Sequence, residues 1–290
     1  MAGEPLLPGA EHFLAAAVPP GDRPATYTAT YRDGIYTLTA VGEVAPIAAG
    51  ATGVFENTLF VGPKLQDQMA QTAEGLKLTV DYGFLTVISQ PLFWVLQKLH
   101  GLTGNWGWAI ILLTILIKLV FYKLSETSGK SMANMRKLQP RLKALQERYA
   151  DDRQALSQAN MEMYKREKVN PESGCLPILV QMPVFLALYW VLLESVEMRQ
   201  APFMLWIDDL SSRDPYFILP LLMGITMFLQ QRLNPAPPDP VQAKVMMALP
   251  IVFTVFFAFF PAGLVLYWFV NNLLSIAQQW RINRVVERSG

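Results

Sequence analysis

Five apolar runs constrain the fold of this 290-residue chain more than any other feature. They cover residues 106–122, 175–193, 216–231, 245–260 and 263–279. A helix needs about 20 mostly apolar residues to cross a hydrocarbon core of about 30 Å. Hydrophobic residues make up 52% of the chain, and these runs concentrate them. The sequence therefore predicts a mainly α-helical membrane protein with a core of five transmembrane helices.

The last two runs are predicted to be separate spans because Pro261-Ala262-Gly263 lies between them. As one helix, residues 245–279 would extend about 52 Å, which greatly exceeds the thickness of the hydrocarbon core. Proline and glycine favour a break in a helix. We therefore expect a tight hairpin of two short spans at the end of the chain.

The distribution of charge predicts how the spans are oriented. Residues 123–172 carry 11 lysines and arginines against 7 acids, whereas residues 194–214 carry two arginines against five acids. The third connection and the C-terminus are also basic, through Arg232, Lys244, Arg281, Arg284 and Arg288. Cytoplasmic loops of membrane proteins are enriched in lysine and arginine. We therefore expect residues 123–172 and the C-terminus in the cytoplasm, and residues 1–104 on the opposite side.

Residues 1–80 have a pattern typical of β structure. Side chains alternate in polarity over Tyr27–Tyr31 and Ile35–Thr39, and the turn Arg32–Gly34 joins the two stretches. Thr58–Val61 is a further strand candidate. So short a segment is too small to be a complete β domain. It is interpreted as part of one.

Residues 81–104 are expected to form an amphipathic helix at the membrane surface. Apolar side chains recur at three- and four-residue spacing, at Phe84, Val87, Ile88, Leu92, Val95, Leu96 and Leu99. The other side carries Ser89, Gln90, Gln97 and Lys98. Such a helix suits the boundary between headgroups and acyl chains. A core helix of the β segment is the alternative.

Residues 125–170 are predicted to form a cytoplasmic helical hairpin. Near-heptad spacing marks its first helix, at Met132, Met135, Leu138, Leu142, Leu145 and Tyr149. Asp151-Asp152 can start the second helix and Asn170-Pro171 can stop it, while Pro140 should kink or restart the first. The hairpin methionines either pack between the helices or offer an adaptable apolar surface to hydrophobic segments.

Lys118 is the most informative residue within a span. It precedes Lys123 by five residues, so it lies about 7.5 Å deeper along the helix axis. Insertion scales place the cost of a lysine at the centre of a span at about 2.5–3.5 kcal/mol. Its stem could instead carry the ammonium group to the interface. Thr114 lies one turn before Lys118 on the same face.

Every other span also carries polar side chains. They are Gln181, Thr226, Gln230, Thr254, Asn271, Asn272, Ser275, Gln278 and Gln279. One such residue alone would form a hydrogen bond between helices. Because every span contributes and a cation joins them, we predict a water-filled cavity that opens toward the cytoplasm.

The residues that carry most catalytic chemistry are scarce. A single cysteine, Cys175, excludes an internal disulfide, and two distant histidines do not favour a metal site. No Asp, Glu or His lies within a span core, so acid–base catalysis is not predicted. We expect neither enzyme activity nor a cofactor or metal. A channel or small-solute transporter using the same cavity and a structural assembly scaffold are alternatives.

Nine short motifs follow one another along the chain. They are Asp81-Tyr82-Gly83, Ser89-Gln90-Pro91, Gly104-Asn105-Trp106-Gly107, Met135-Arg136-Lys137-Leu138-Gln139-Pro140, Lys168-Val169-Asn170-Pro171, Gly174-Cys175-Leu176-Pro177, Gln181-Met182-Pro183, Arg199-Gln200-Ala201-Pro202-Phe203 and Phe260-Pro261-Ala262-Gly263-Leu264-Val265-Leu266-Tyr267-Trp268. Together they resemble the bacterial YidC insertases, from about residue 22 to residue 284.

The resemblance implies a protein that inserts and folds nascent proteins in the bacterial inner membrane, alone or with the Sec translocon. It implies a hydrophilic groove that is open to cytoplasm and lipid and closed toward the periplasm. The groove residues would be Lys118, Thr114, Gln181, Tyr267, Asn272 and Ser275. The implied partners are nascent membrane proteins, the ribosome, the Sec translocon and membrane lipids, without specific DNA binding.

Two features depart from the family pattern. Members commonly have arginine where this chain has Lys118. Lysine keeps the charge but lacks the planar fork that binds a carboxylate through two hydrogen bonds. Gram-negative members also begin with another transmembrane helix and a large periplasmic β-sandwich, whereas residues 22–80 resemble only the end of that sandwich. We therefore expect an N-terminally truncated member, in which residues 1–80 are a remnant of the periplasmic domain.

Overall fold

A computed structural model of the chain describes residues 12–18, 25–42, 46–73, 75–80, 82–149, 152–167, 176–234 and 240–288. The chain divides into two compact units, Met1–Asp81 and Tyr82–Gly290. The predicted stop signal at Asn170-Pro171 and the single cysteine, Cys175, lie outside the described residues. Each unit is described by itself.

The described part of the first unit contains two antiparallel pairs of strands. Its elements are β1 (Phe13–Val18), β2 (Ala25–Arg32), β3 (Ile35–Gly42), β4 (Thr58–Pro63) and α1 (Gln66–Thr72). β1 pairs with β4, and β2 pairs with β3. Asp33 and Gly34 form the β2–β3 turn, with φ angles of 52° and 80°. Two successive left-handed residues match the twist of a two-residue hairpin, which agrees with the predicted turn.

The second unit is helical. Its helices are α2 (Thr86–Thr103), α3 (Trp106–Val120), α4 (Tyr122–Arg148), α5 (Arg153–Arg166), α6 (Leu176–Glu194), α7 (Ile218–Leu233), α8 (Pro240–Phe257) and α9 (Ala262–Arg288). α3 and α6 to α9 overlap the five apolar runs that were predicted to be spans, although their ends differ. α9 contacts α3, α4, α6 and α7, and its first six residues are all buried. It is the central helix of this unit.

α2 belongs to the helical unit. Its Phe93 and Leu96 side chains are buried, and the Ser89 hydroxyl donates to the carbonyl of Ala187 in α6 at 3.2 Å. The other face of α2 is exposed, at Val87, Trp94 and Leu102. Both faces of α2 therefore carry apolar side chains, and Ser89, which was predicted on the polar side, is buried. α2 is part of the helical unit and not of the β segment. Its position at the membrane surface stays a prediction.

The predicted first span is interrupted near its end. α3 stops at Val120, and α4 leaves in a direction that differs by 68°. α4 then continues as a helix through Pro140, where we expected a kink or a restart. α5 returns along α4, and an ion pair between Arg141 and Glu167 joins the two helices. The described part of the hairpin thus begins as a continuation of the first span.

The C-terminal part of α9 packs against the middle of α4. The Lys137 ammonium group donates to the carbonyl of Val286 at 2.9 Å. Ala133, Ile282 and Val286 form a buried apolar cluster beneath this contact. α9 therefore continues as a helix beyond residue 279, where the predicted span ends, and packs against the first helix of the hairpin.

Large apolar side chains cover the outward faces of the core helices. They include Leu116, Leu119, Leu179, Leu221, Ile225, Ile251, Val255 and Phe256. Such surfaces are costly in water but not against lipid tails. By length and apolar composition, none of the single helices in the described part is sufficient to cross a membrane, whereas α3 and α4 meet that test as a bent pair.

The loop between α6 and α7, residues 195–217, is fastened to the starts of α3 and α9. The Asn105 side-chain amide donates to the carbonyl of Phe203 at 2.9 Å. The backbone N–H of Gly263 donates to the carbonyl of Leu210 at 2.9 Å. The loop therefore covers one end of the helical core.

Asp214 fixes the same loop from within. Its carboxylate is almost completely buried and accepts hydrogen bonds from the Trp206 indole at 3.0 Å and the Tyr216 N–H at 3.0 Å. The N–H of Leu219, in the first turn of α7, donates to the other carboxylate oxygen at 2.6 Å. These hydrogen bonds satisfy the buried charge and hold the loop at the start of α7.

Candidate functional site

A cavity of about 370 Å³ lies between α3 and the four helices from α6 to α9. It is lined by Lys118, Gln181, Met182, Phe185, Met227, Gln230, Gln231, Asn234, Met246, Leu249, Tyr267, Trp268, Asn271, Asn272 and Ser275. Each of the five predicted spans contributes at least one side chain. Lys118 is the only charged residue in this set, which comes from the described part of the chain.

α9 supplies one polar side of the cavity. Tyr267, Asn271 and Ser275 are four residues apart, so they lie above one another on one face of the helix. Asn272 lies beside Asn271 and lines the cavity as well. This face points into the cavity, since Tyr267, Asn271 and Ser275 all line it.

Lys118 is bonded across the cavity to α9. Its ammonium group donates to the Ser275 hydroxyl at 2.8 Å, and that hydroxyl donates its own hydrogen to the Asn271 carbonyl at 2.7 Å. A serine hydroxyl has one hydrogen and two acceptor lone pairs. The bond to Asn271 therefore leaves a lone pair available for Lys118. The half-buried lysine is held inside the cavity, which disfavours the snorkelling alternative.

Gln181 joins α6 to the same network. Its side-chain N–H donates to the Asn271 amide oxygen at 3.0 Å, and it also forms a hydrogen bond with Tyr267. The Tyr267 ring is only 1% exposed and stacks against Phe185 with ring centres 6.1 Å apart. Gln181 and Tyr267, both predicted to line the groove, are thus brought together with Lys118 and Ser275.

Two other predicted residues, Asn272 and Thr114, are buried and form hydrogen bonds within the helical core. Asn272 is buried and donates to the Thr226 hydroxyl of α7 at 3.4 Å, so it joins two sides of the cavity. Thr114 does not line the cavity. It is 1% exposed, and its hydroxyl donates to the carbonyl of Ile110 in its own helix at 2.7 Å.

The remaining polar residues of the predicted spans divide between the cavity and helix contacts. Gln230 lines the cavity. Gln278 donates to the carbonyl of Tyr122 at 3.3 Å, at the break between α3 and α4. Gln279 donates to the Asn283 side chain at 3.0 Å in its own helix. Gln278 thus supports the helix break, and neither glutamine is among the described residues that line the cavity.

The cavity can attract an anion or a carbonyl group. Lys118 has no ion-pair partner among the described residues, and an ammonium group has three hydrogens, of which Ser275 accepts one. No carboxylate or imidazole is among the described lining residues, and no group of metal ligands occurs in the described part of the chain. The arrangement suits binding rather than proton transfer.

Several lining residues are absent from the six groove residues that the family resemblance implies. Asn271 has a signal in the sequence, because it lies four residues after Tyr267 and four before Ser275. Gln231 and Asn234 have no distinct signal, because polar residues at the end of an apolar helix usually contact solvent. Only the packing of α7 against α9 shows that they line the cavity.

Comparison with protein families identifies the two parts of the chain. Residues 98–289 match the family model described as the 60Kd inner membrane protein. The chain belongs to the 60Kd inner membrane protein family. Residues 10–95 match the model of the YidC periplasmic domain. The two matches follow one another in the order expected for a β segment and a helical core.

Individual relatives agree with this assignment. The chain is 60% identical to the membrane protein insertase YidC of Nitrosococcus oceani over 284 residues, covering 97% of this chain and 52% of the relative. It is 67% identical to that of Thioalkalivibrio sulfidiphilus over 248 residues, covering 86% of this chain and 44% of the relative. The chain therefore spans about half the length of these relatives.

A solved structure is similar as well. The active YidC insertase with its first transmembrane domain resolved matches with a TM-score of 0.56 and 27% identity, covering 77% of this chain and 56% of that chain. These comparisons confirm the resemblance to the YidC insertases. They also confirm the predicted fold class, a helical membrane core that follows part of a periplasmic β domain. The family consists of inner membrane proteins and is not a known class of catalytic enzyme.

Proposed function

We propose that this chain carries the core of a membrane protein insertase. The cavity receives the polar flank or short outer loop of a nascent protein, while the adjoining hydrophobic segment enters the bilayer. Transfer of that segment into lipid supplies the driving force, without a nucleotide or cofactor. The observation that carries the proposal is the cationic Lys118, held inside a polar cavity that has no neutralising acid among its described residues.

Lys118 gives the cavity a preference for acidic guests. A cation in a site of low dielectric attracts a carboxylate more strongly than it does in water. Its two remaining hydrogens can bind the oxygens of an acidic side chain or of a carbonyl group. The attraction lowers the free energy of an acidic tail inside the cavity, where it would otherwise be costly to desolvate.

Apolar side chains guide the hydrophobic segment beside the cavity. Met182 and Phe185 of α6 and Met246 and Leu249 of α8 line it together with the polar residues. Methionine adapts to differently shaped apolar partners because its side chain is unbranched and flexible. A guest can therefore keep its polar flank in the cavity while its apolar part contacts α6 and α8.

The orientation and partners of the insertase are also part of the proposal. The basic segment 123–172 and the C-terminus lie in the cytoplasm, and residues 1–104 lie in the periplasm. The cavity then faces the side on which nascent chains arrive. Ribosomes, the Sec translocon and membrane lipids are the proposed partners, and nascent membrane proteins are the substrates.

Reversal of the cavity charge tests the proposal. Lys118→Glu should lower the insertion rate of a guest with an acidic translocated tail by about tenfold or more, since each 1.4 kcal/mol is a factor of ten. Lys118→Arg should retain insertion because the charge remains. The measurement uses the purified chain in liposomes and a translated single-span guest. The exposed Lys123→Glu, five residues away and outside the cavity lining, is the matched control.

The same liposomes separate the insertase from a solute channel. Crosslinks from Lys118 or Ser275 to a ribosome-bound nascent chain are expected for an insertase. Selective solute flux without guest insertion would instead favour a channel or transporter. Insertion of acidic tails that is unchanged by Lys118→Glu would exclude the role of the charge.

A further inference from the structure

Carboxamide side chains dominate the polar lining of the cavity. Six of its fifteen lining residues in the described part of the chain are asparagines or glutamines: Gln181, Gln230, Gln231, Asn234, Asn271 and Asn272. We propose that these carboxamides bind the main chain of an extended guest segment, so that the cavity recognises the peptide backbone itself. The inference rests on the proposed insertase function and assigns it a second, sequence-independent mode of recognition.

The chemistry of a carboxamide matches that of a peptide group. Its carbonyl oxygen accepts hydrogen bonds and its NH₂ group donates two. An asparagine or glutamine can therefore bind either the N–H or the carbonyl of any guest residue. Side-chain identity and chain direction do not affect this pairing, which suits a site that must receive many different sequences.

Lys118 cannot perform this role alone. A lysine ammonium group has only donors, so it can bind a guest carbonyl but not a guest N–H. The hydrogen of the Ser275 hydroxyl is bonded to Asn271, and the oxygen accepts from Lys118. The carboxamide oxygens are the remaining strong acceptors with room for a guest N–H, since the Tyr267 side chain is almost completely buried.

Three of the carboxamides are available without breaking an internal bond. Gln230, Gln231 and Asn234 lie at the last turn of α7, are half-buried and line the cavity. Their side chains have no hydrogen-bond partner within the described ranges. Asn271 accepts from Gln181 through its oxygen, and its NH₂ group likewise lacks a partner there. These groups provide both donors and acceptors for a guest.

A guest backbone needs hydrogen-bonding partners when it lies within the membrane. A polar loop that crosses the membrane has no helix to satisfy its backbone, and unpaired N–H and carbonyl groups are costly away from water. A cavity of about 370 Å³ holds only a few residues of an extended chain. Four available carboxamides are therefore comparable in number to the peptide groups that enter at one time.

Ester substitution in the guest tests backbone recognition directly. Replacing one amide by an ester removes the N–H donor and weakens the carbonyl acceptor, while every side chain stays the same. The guest is a translated single-span protein with a neutral tail, so that Lys118 is not engaged by an acid. An ester within the translocated loop should slow insertion by about three- to tenfold in liposomes that contain the full chain. An ester in the untranslocated tail is the guest control.

Variants of the lining residues test whether the effect of the ester on the insertion rate arises in the cavity. The triple variant Gln230→Met, Gln231→Met and Asn234→Leu should insert the all-amide neutral guest more slowly by about tenfold. The same ester should then cause little further loss. Gln97→Met, a half-buried glutamine of α2 outside the cavity lining, is the matched control and should behave like the unchanged chain. Unfolding midpoints of the variants show whether the fold is retained.

The outcomes separate this inference from the proposed function. Equal insertion of ester and amide guests would overturn backbone recognition while leaving the insertase intact. An undiminished ester effect in the triple variant, with its fold retained, would also overturn it. Loss of all insertion by the unchanged chain would count against the proposed function, and backbone recognition would fall with it.

Discussion

The Ser275 hydroxyl determines where the flexible side chain of Lys118 lies. Its single hydrogen is directed to the Asn271 carbonyl, so an oxygen lone pair remains for the ammonium group. Without this acceptor, the four-carbon stem of lysine could adopt other rotamers. One neutral residue of α9 thereby positions a charge that belongs to α3.

Ser275→Ala should reduce the insertion rate of acidic-tailed guests by about tenfold. A hydrogen bond to a charged group contributes about 1.5–3 kcal/mol, and alanine removes the acceptor. Ser275→Thr keeps the hydroxyl and should restore most of the rate. Initial insertion rates into liposomes measure the effect. An equal loss for neutral-tailed guests would contradict the idea that Ser275 acts through Lys118.

Asp209, in the α6–α7 loop, links stability to pH. Burial acts to raise its pKa, but hydrogen bonds from Ser211, Ser212 and the N–H of Gln200 hold the pKa below the usual aspartate value. A depressed pKa in the folded state stabilises it above the unfolded pKa of about 3.9. That stabilisation is lost as the pH falls through the folded-state pKa.

Thermal unfolding between pH 6 and pH 3 should therefore show a smaller acid-induced decrease for Asp209→Asn than for the unchanged chain. The amide cannot titrate, so its hydrogen bonds do not change over this range. Asp208→Asn, at the exposed neighbouring position, is the control and should follow the unchanged chain. Parallel curves for all three proteins would show that Asp209 does not contribute to the acid sensitivity.

The sequence predicts that the cavity is polar more accurately than it predicts which residues line it. Lys118, Gln181 and Ser275 could be assigned from charge, helix position and family resemblance, and they lie together. Thr114 shares the helix face of Lys118, but packing of α3 buries its hydroxyl against its own helix. Helical spacing fixes the direction of a side chain and not what covers it. For that reason Asn234 also remained outside the predicted set.

At the level of elements, the junction between α3 and the α6–α7 loop requires a glycine. A Cβ atom at Gly107 would overlap the ring of Phe203, which also packs edge-on against Trp108 at 5.8 Å between ring centres. The Phe203 carbonyl accepts from Asn105, the residue that caps α3. A shift of this ring would therefore disturb the start of the helix as well as the loop.

Gly107→Ala should destabilise the helical unit by about 1–3 kcal/mol, the usual cost of overpacking. Gly101→Ala is the matched control in α2, since a Cβ there meets nothing within 4 Å. Alanine should stabilise that helix by about 0.5–1 kcal/mol. Thermal unfolding in detergent at a fixed scan rate compares the two. Equal unfolding midpoints for the two variants would mean that the α6–α7 loop moves away from the new methyl group without loss of stability.

Element boundaries were predictable where the sequence contains a local signal. The β2–β3 turn is predicted by Asp33-Gly34, and the α8–α9 break by Pro261 to Gly263. β1 was missed because its sequence, Phe-Leu-Ala-Ala-Ala-Val, does not alternate and becomes a strand only by pairing with β4. The bend after Val120 has no proline or glycine beside it, and the contact at the bend comes from Gln278, far along the chain in α9.

For the whole molecule, the distribution of polarity is opposite to that of a soluble protein. Apolar side chains such as Leu116 and Ile251 face outward, whereas Lys118 and six carboxamides face an internal cavity. In water this arrangement would expose apolar surface and bury polar groups, and both are costly. In a bilayer the outer surface is satisfied by lipid. Only the inner cavity then needs water or a polar guest.

Orientation in the membrane is the prediction that belongs to the whole molecule. The basic segment 123–172 should lie in the cytoplasm and the acidic α6–α7 loop in the periplasm. Two exposed acids provide a matched pair of probes, Glu147→Cys in α4 and Asp208→Cys in the loop, in a Cys175→Ser background. A thiol reagent that cannot cross the inner membrane should label the loop cysteine in spheroplasts and the α4 cysteine only after lysis. Labelling of both before lysis, or of the α4 cysteine alone, would contradict the orientation and would place the cavity on the wrong side for nascent chains.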